Sequence, residues 1–427
     1  MTSSSVHLFR GAEPFALRLL LGLGLLAFAP DGHAEKKRFR TDADGPVVIK
    51  RGKARQQDGA AEPPEWYQLV PGEFPPEGSA HAIPGELIQM DHLERRFQLR
   101  VDRNDSQPRG NWDLPVYARM LPYGAIYRHG APAAIRDVPL GTHLHGLFYL
   151  QDPEDKTPLP IGPSNNRLTP EKDFRRCFQL EDDFSHHARR GELWRVEAVD
   201  LSGRKLKATL LANDEPQGDA LEFDLMDWTR VLRGDGFADL KDIAKGQTVL
   251  FNRTWVTLYG PGRITDIWLD ETSRRRATAL QQARHRQHIR ERGLPGWVTA
   301  VDDEARIVTI NFFGNVDPVL FDELAVMDGK KADWPMKAQV DDPNAPKGAV
   351  AVARESLMTY DPVNDKKRGE ILEIKRVPVE PGGGGVQLRI RCDLLLEGFR
   401  PHHIVRFFPA TWPIISLPRE EEFFNRE

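Results

Sequence analysis

The chain has 427 residues, about three times the commonest domain size, so two to four domains are expected. Its 59 Lys+Arg against 63 Asp+Glu leave a net charge of −4, which excludes a globally basic nucleic-acid binder. Two cysteines, Cys177 and Cys392, cannot build a disulfide framework, and the lack of any CxxC excludes a zinc finger of the four-cysteine or two-cysteine, two-histidine type.

Residues 1–34 read as a signal peptide. Arg10 and Arg18 supply positive charge, Leu19 to Ala29 is an apolar run, and Gly32-His33-Ala34 places small residues at −3 and −1 of a cut after Ala34. The run is too short to span a bilayer. The mature chain is therefore expected to be secreted or periplasmic and not membrane-spanning. Residues 35–64 are charged, with one short apolar run, and are expected to form a disordered leader.

From residue 85 the chain repeats loosely. GELIQMDHLERRFQLRVDR starts at Gly85, GELWRVEAVDLSGRKLKATLLAN at Gly191, GWVTAVDDEARIVTINFFGN at Gly296 and GEILEIKRVPVEPGGGGVQLRIR at Gly369. Each reads as two short alternating strands around a turn. In the third, Val298 and Ala300, then Val308, Ile310 and Phe312, are expected on one buried face. Three units carry a second signature: a short helical or turn segment, a turn at Leu140-Gly141, Lys245-Gly246 or Arg400-Pro401, and a β-run. Gly382 to Gly385 falls inside a hairpin and is expected to be a flexible turn.

This rhythm resembles the small OB-like barrels of secreted bacterial proteins of unknown function, which implies a mainly β chain of three or four tandem small OB-like β-barrels with one long connecting helix. The expected order is barrel unit one at 65–160, unit two with short helices at 161–270, the connector at 271–293, unit three at 294–368, and unit four with a C-terminal tail at 369–427. Trp334-Pro335-Met336 also resembles, more faintly, the Trp and one Met of the periplasmic copper/silver-chaperone barrel, although the second Met and the His are not spaced to match.

The connector, Glu271 to Arg292, takes Thr272 or Ser273 as its cap and Gly293-Leu294-Pro295 as its stop. Ala277, Leu280, Ala283 and Ile289 form a narrow apolar stripe. Ser273 to Arg292 holds seven arginines and one acid, Glu291. The repulsion among them must be offset, either by acids of neighbouring barrels such as Asp302, Asp303 and Glu304, or by an external polyanion at Arg274, Arg275, Arg276, Arg284 and Arg286.

His143-Leu144-His145 puts two imidazoles on one face of a strand, a pattern that suits copper or zinc. Otherwise both are surface or edge residues beside Tyr149 and Arg136. The pairs His186-His187 and His402-His403 cannot readily chelate one ion by themselves, because neighbours diverge on a helix or a strand. His285 and His288, at i and i+3, read as a solvated helix face. Trp228, Trp255, Trp268 and Trp297 are either core or a stacking surface. The chain has no GxSxG, no P-loop and no HExxH, so an enzyme is not expected. The sequence thus points to a non-enzymatic binding or scaffolding protein of the cell envelope, without a cofactor. Its partner is an unknown envelope protein or polysaccharide rather than a specific nucleic acid. Metal binding by unit one and glycan or polyanion binding by the arginine helix are the alternatives.

Overall fold

The computed structural model describes residues 67–102, 115–150, 175–257, 260–327, 330–331, 350–353, 369–392, 395, 399–408 and 412, all within the unit Arg55–Glu427. The segments expected to be a signal peptide (1–34) and a leader (35–64), and Trp334-Pro335-Met336, lie outside the described residues. Among the described residues no helix is long and apolar enough to cross a membrane.

The chain is mainly β, as expected. Barrel one uses β1 (His81–Asp91), β2 (Arg96–Val101), β3 (Pro115–Arg128), β4 (Ala131–Pro132), β5 (His143–Leu150) and β6 (Arg175–Asp182), in the order β2-β1-β5-β6-β3-β4. A β2–β3 pairing closes the ring, and β3 runs parallel to β6. Helix α1 (Asp183–Arg189) follows. Barrel two uses β7 (Glu192–Asp200), β8 (Lys205–Ala212), β9 (Glu215–Pro216), β10 (Leu221–Arg233), β11 (Gly236–Ala238), β12 (Thr248–Thr254) and β13 (Arg263–Trp268). It closes through β10–β8 and repeats the parallel pair as β10–β13. Each is a small closed five-strand barrel with one or two short appended strands, and closure leaves few open edges.

Helix α2 (Glu271–Arg292) leads into a third sheet. Its first strands are β14 (Leu294–Asp302) and β15 (Ile307–Phe313). A short helix α3 (Val319–Asp322) and a separate hairpin of β16 (Val326–Met327) and β17 (Lys330–Lys331) come next. The sheet is completed by β18 (Val350–Ala353), β19 (Gly369–Arg376), β20 (Gly383–Cys392) and β21 (Ile404–Phe408), in the order β18-β21-β14-β15-β20-β19. Strands from 294–368 and from 369–427 thus hydrogen-bond into one sheet.

Apolar alternation explains the strands. Val308, Ile310 and Phe312 of β15 face Leu388 and Ile390 of β20 in one buried core. Ala300 is not on that face. A bulge between Val298 and Ala300 shifts the pairing by one residue and turns Ala300 to solvent.

The bulge recurs. β1 shifts register at Leu87/Gln89, β7 at Val196/Ala198 and β14 at Val298/Ala300. In each case the residue before the shift brackets the turn that opens a distant strand. Leu87 donates its N–H to Thr142 O at 2.9 Å and accepts from Gly141 at 2.7 Å. Val196 does the same with Gln247 (2.9 Å) and Gly246 (2.7 Å), and Val298 with His403 (3.0 Å) and His402 (2.9 Å). Gly141, Gly246 and His402 have φ of 86°, 83° and 72°. The left-handed conformation aims the N–H at the bulge, which is why two of the three are glycine.

Among the described residues barrel one meets the third sheet at several points, two of them closely packed. Phe74, from the segment before β1, stacks on Trp297 at 4.8 Å and meets Tyr123 edge-on at 5.3 Å, within a cluster that includes Phe313 and Tyr149. The second is the run Gly382 to Gly385. A Cβ on Gly382 would lie 2.6 Å from the Tyr123 ring, and one on Gly384 2.8 Å from Phe321. The run does begin in the turn of the β19–β20 hairpin, as expected, but it is close-packed rather than loose.

Candidate functional site

A cluster of buried ionisable side chains lies between the two closed barrels. Period two in β5 places His143 and His145 on one face. β6 ends in Glu181 and Asp182, and α1 begins at Asp183. β12 of barrel two brings Asn252 and Arg253 onto the same spot.

Asp182 is the helix cap and is fully buried. It accepts N–H groups from Ser185 (2.8 Å) and His129 (3.1 Å), and the Asn252 amide (2.9 Å). Burial outweighs these bonds and holds its carboxyl above the usual range. Asn252 also accepts the Phe184 N–H at 2.8 Å, so one amide ties barrel two to the cap.

Asp183 is likewise fully buried and is the hub. One carboxylate oxygen takes His143 Nδ1 at 2.7 Å, His145 Nε2 at 3.0 Å and Arg253 Nη2 at 2.6 Å. The other takes the Arg253 backbone N–H at 2.9 Å. Burial pushes the carboxyl up, but Arg253 and His143 pull it well below the carboxylate range. His143 is 1% exposed and binds Asp102 through Nε2 at 2.9 Å. Burial disfavours its charge, but Asp183 and Asp102 overcome that and raise its pKa above the imidazole value. With a carboxylate on each nitrogen, the protonated ring is the form these partners favour, and in that form it joins Arg253 in balancing Asp183 and Asp102, the pairing that makes buried charge tolerable.

His145 differs. Burial lowers its pKa to about 4, and its ring stacks on His186 at 3.5 Å. His186 Nδ1 lies 3.3 Å from Glu181, which also binds Arg189 and Arg190. His187 Nδ1 lies 2.7 Å from Glu192 of β7. Burial lowers the His187 pKa despite that bond.

His143 and His145 therefore do converge, and with Asp183 they place ligand atoms within 4.8 Å of one another. They are not the edge residues beside Tyr149 and Arg136 that the blander expectation supposed. The cation already on that carboxylate is the guanidinium of Arg253. Asp182 and Asp183 start a helix, a local role, whereas the hub is not visible in the local sequence because Arg253 arrives from another barrel.

The arginines of α2 are distributed among acids of the same chain. Arg274 and Arg275 pair with Glu271 (3.1 and 2.8 Å), Arg276 with Asp235 (3.9 Å), Arg284 with Asp137 (4.0 Å) and Arg286 with Asp317 (2.7 Å). Of the acids expected, Asp303 instead pairs with Arg400 at 2.8 Å. The helix cap is Asp270, not Thr272 or Ser273, and it also accepts the Gly234 N–H at 2.9 Å. The apolar stripe is only part of what holds the helix: Ile289 sits in the core of the third sheet and Ala277 packs against Phe184, Leu250 and Trp268, but Leu280 is 63% exposed, and Ser273, Gln281 and His285 are buried as well. Thr278 donates to His129 O at 2.7 Å and Gln281 to Pro132 O at 3.2 Å, both in barrel one. His285 accepts the Asp317 N–H at 3.2 Å, so it is not solvated, and His288 Nδ1 lies 2.6 Å from Arg136.

Trp268 and Trp297 are core, whereas Trp228 and Trp255 are about half exposed. Arg100 of barrel one covers Trp255 at 4.2 Å. Neither cysteine is in a disulfide, and both are buried. No family model matches the chain, and no curated protein is similar to it.

Proposed function

We propose that this is a non-enzymatic binding or scaffolding protein of the cell envelope, exported through residues 1–34, whose barrels hold a fixed arrangement around α2. The observation that carries the reading is α2 itself. It is a 22-residue helix that buries Ser273, Gln281 and His285 alongside Ile289 and pairs its arginines with acids of both barrels and of the segment before β18. A helix kept for binding polyanions would leave those cations uncommitted. Its role is that of a strut, and partner contact falls to exposed aromatics such as Phe237 (78% exposed) and Trp228 (53%).

The test is in-cell photo-crosslinking. With a photoreactive residue at Phe237 or Trp228 of the exported chain, a discrete adduct of one mass is expected, and none from Leu280 on the strut. Retention of the chain in the cytoplasm, or no adduct at Phe237 and Trp228, overturns the reading. A second reading, metal binding through His143 and His145, is favoured by their convergence on Asp183 but requires displacing Arg253.

A further inference from the structure

We propose that His186, His187 and Glu192 form a second, separate site that binds one divalent transition-metal ion of the zinc or copper type. This goes beyond the scaffolding role and does not depend on it.

Sequence spacing alone argues against the pair, because adjacent histidines on a helix diverge. The structure supplies what the spacing lacks. α1 ends after Arg189, and Gly191, with φ of 68°, reverses the chain so that Glu192 returns beside His187. The His186 and His187 rings stand 5.3 Å apart at 85°. One nitrogen of each and one oxygen of Glu192 lie within 4.8 Å of one another. Ligand atoms about 2.0–2.2 Å from a tetrahedral metal sit roughly 3.3 Å apart, so the site needs to close only modestly.

Three further observations point to a ligand. His187 is 6% exposed, and its Nδ1 already faces the Glu192 carboxylate at 2.7 Å, so an ion between them takes the place of the proton they share. The Glu181 carboxylate lies 3.3 Å from His186 Nδ1, where an outer-shell acid fixes the ring of a metal-binding histidine. The neighbouring arginines, Arg189 and Arg190, both bind Glu181, so neither pairs with Glu192 as Arg253 does with Asp183. His186 and Glu192 side chains are 21% and 19% exposed, which leaves a path for the ion. Two imidazoles and one carboxylate match borderline divalent ions rather than calcium or magnesium, and leave a fourth position for water.

The experiment is titration of the tag-free, chelator-treated mature chain with zinc sulfate alone and with copper(II) chloride alone, followed by calorimetry. The cobalt(II) visible spectrum serves as a second readout. One equivalent is expected for at least one of the two metals. His187→Gln and Glu192→Gln should each weaken binding at least about tenfold and remove the tetrahedral cobalt bands, and His186→Gln, at the more exposed ring, should do the same. Circular dichroism identifies any variant that fails to fold, and the His186 variant then decides. His288→Gln should keep full binding. Absence of stoichiometric uptake, or uptake unchanged in both the His186 and Glu192 variants, overturns the proposal. So does binding that is lost in His145→Gln but kept in Glu192→Gln, which would place the ion at the Asp183 hub.

Discussion

Barrel one and barrel two share strand order, bulge, turn and helix cap, yet they use the acid after the cap in opposite ways. Asp182 and Asp270 cap α1 and α2, and each also holds the hairpin turn of its own barrel, at His129 and at Gly234. The next residue is Asp183 in one and Glu271 in the other. Asp183 is sealed beneath Arg253 and two histidines; Glu271 is 56% exposed and pairs with two arginines of its own helix. The strand facing that acid carries His143 and His145 in barrel one, and Thr248 and Leu250 in barrel two. Leu250 packs with Phe184 and Trp268 between the barrels. One backbone plan therefore serves two chemistries, and the difference arises because barrel two covers the end of α1.

The largest test of that contrast is removal of the two acids. Asp183→Asn leaves His143 and Arg253 buried without their counter-charge and should cost about 3–5 kcal/mol in urea unfolding. Glu271→Gln should cost under ~1 kcal/mol. Equal costs would break the comparison.

Acid should also act on the two barrels differently. Burial lowers the His129 pKa to about 3 and that of His145 to about 4, both from 6.5. These rings are neutral in the fold and take up protons on unfolding. Their contribution is complete above pH 6.5 and is lost as the pH falls from 6.5 towards 4, by up to about 1.4 kcal/mol per unit per group. His143, with a raised pKa, acts in the other sense: its contribution is complete below 6.5 and fades as the pH rises through its folded value. Residues 192–270 contain no histidine. Hydrogen exchange at pH 5 against pH 7.5 should therefore show β5 and β6 losing protection before β12 and β13, and uniform loss would refute the assignment.

Smaller effects sharpen the repeat. Gly246→Ala meets nothing within 4 Å, so only the left-handed backbone penalises it, by about 1–2 kcal/mol. Gly141→Ala should cost at least as much, because Thr254 lies 3.4 Å from the new methyl. The smallest effect is expected at α2. Arg275→Gln removes an exposed pair and should change stability by less than ~0.5 kcal/mol. Arg286→Gln should cost more, since Asp317 is 4% exposed.

The alternating runs, the turn glycines Gly141 and Gly246 and the long helix were legible in the chain because strands, turns and caps are set by neighbours a few residues apart. Period two in β15 needs only Val308, Ile310 and Phe312, and Gly293 ends α2 from its own position. The register was not legible: Ala300 faces out because a bulge depends on which strand lies alongside. The pairing of α2 was half legible. The charge demanded acids, but the acids that answer, Asp137, Asp235 and Asp317, are selected by how the helix crosses each neighbour. The junction was least legible of all. His143 and His145 stood out as a motif, but their state is set by Asp102, Asp183 and Arg253, which lie up to 110 residues away. Burial decides whether an imidazole is charged, neutral or left with an unused nitrogen, and burial belongs to the packed barrels rather than to any local run of sequence.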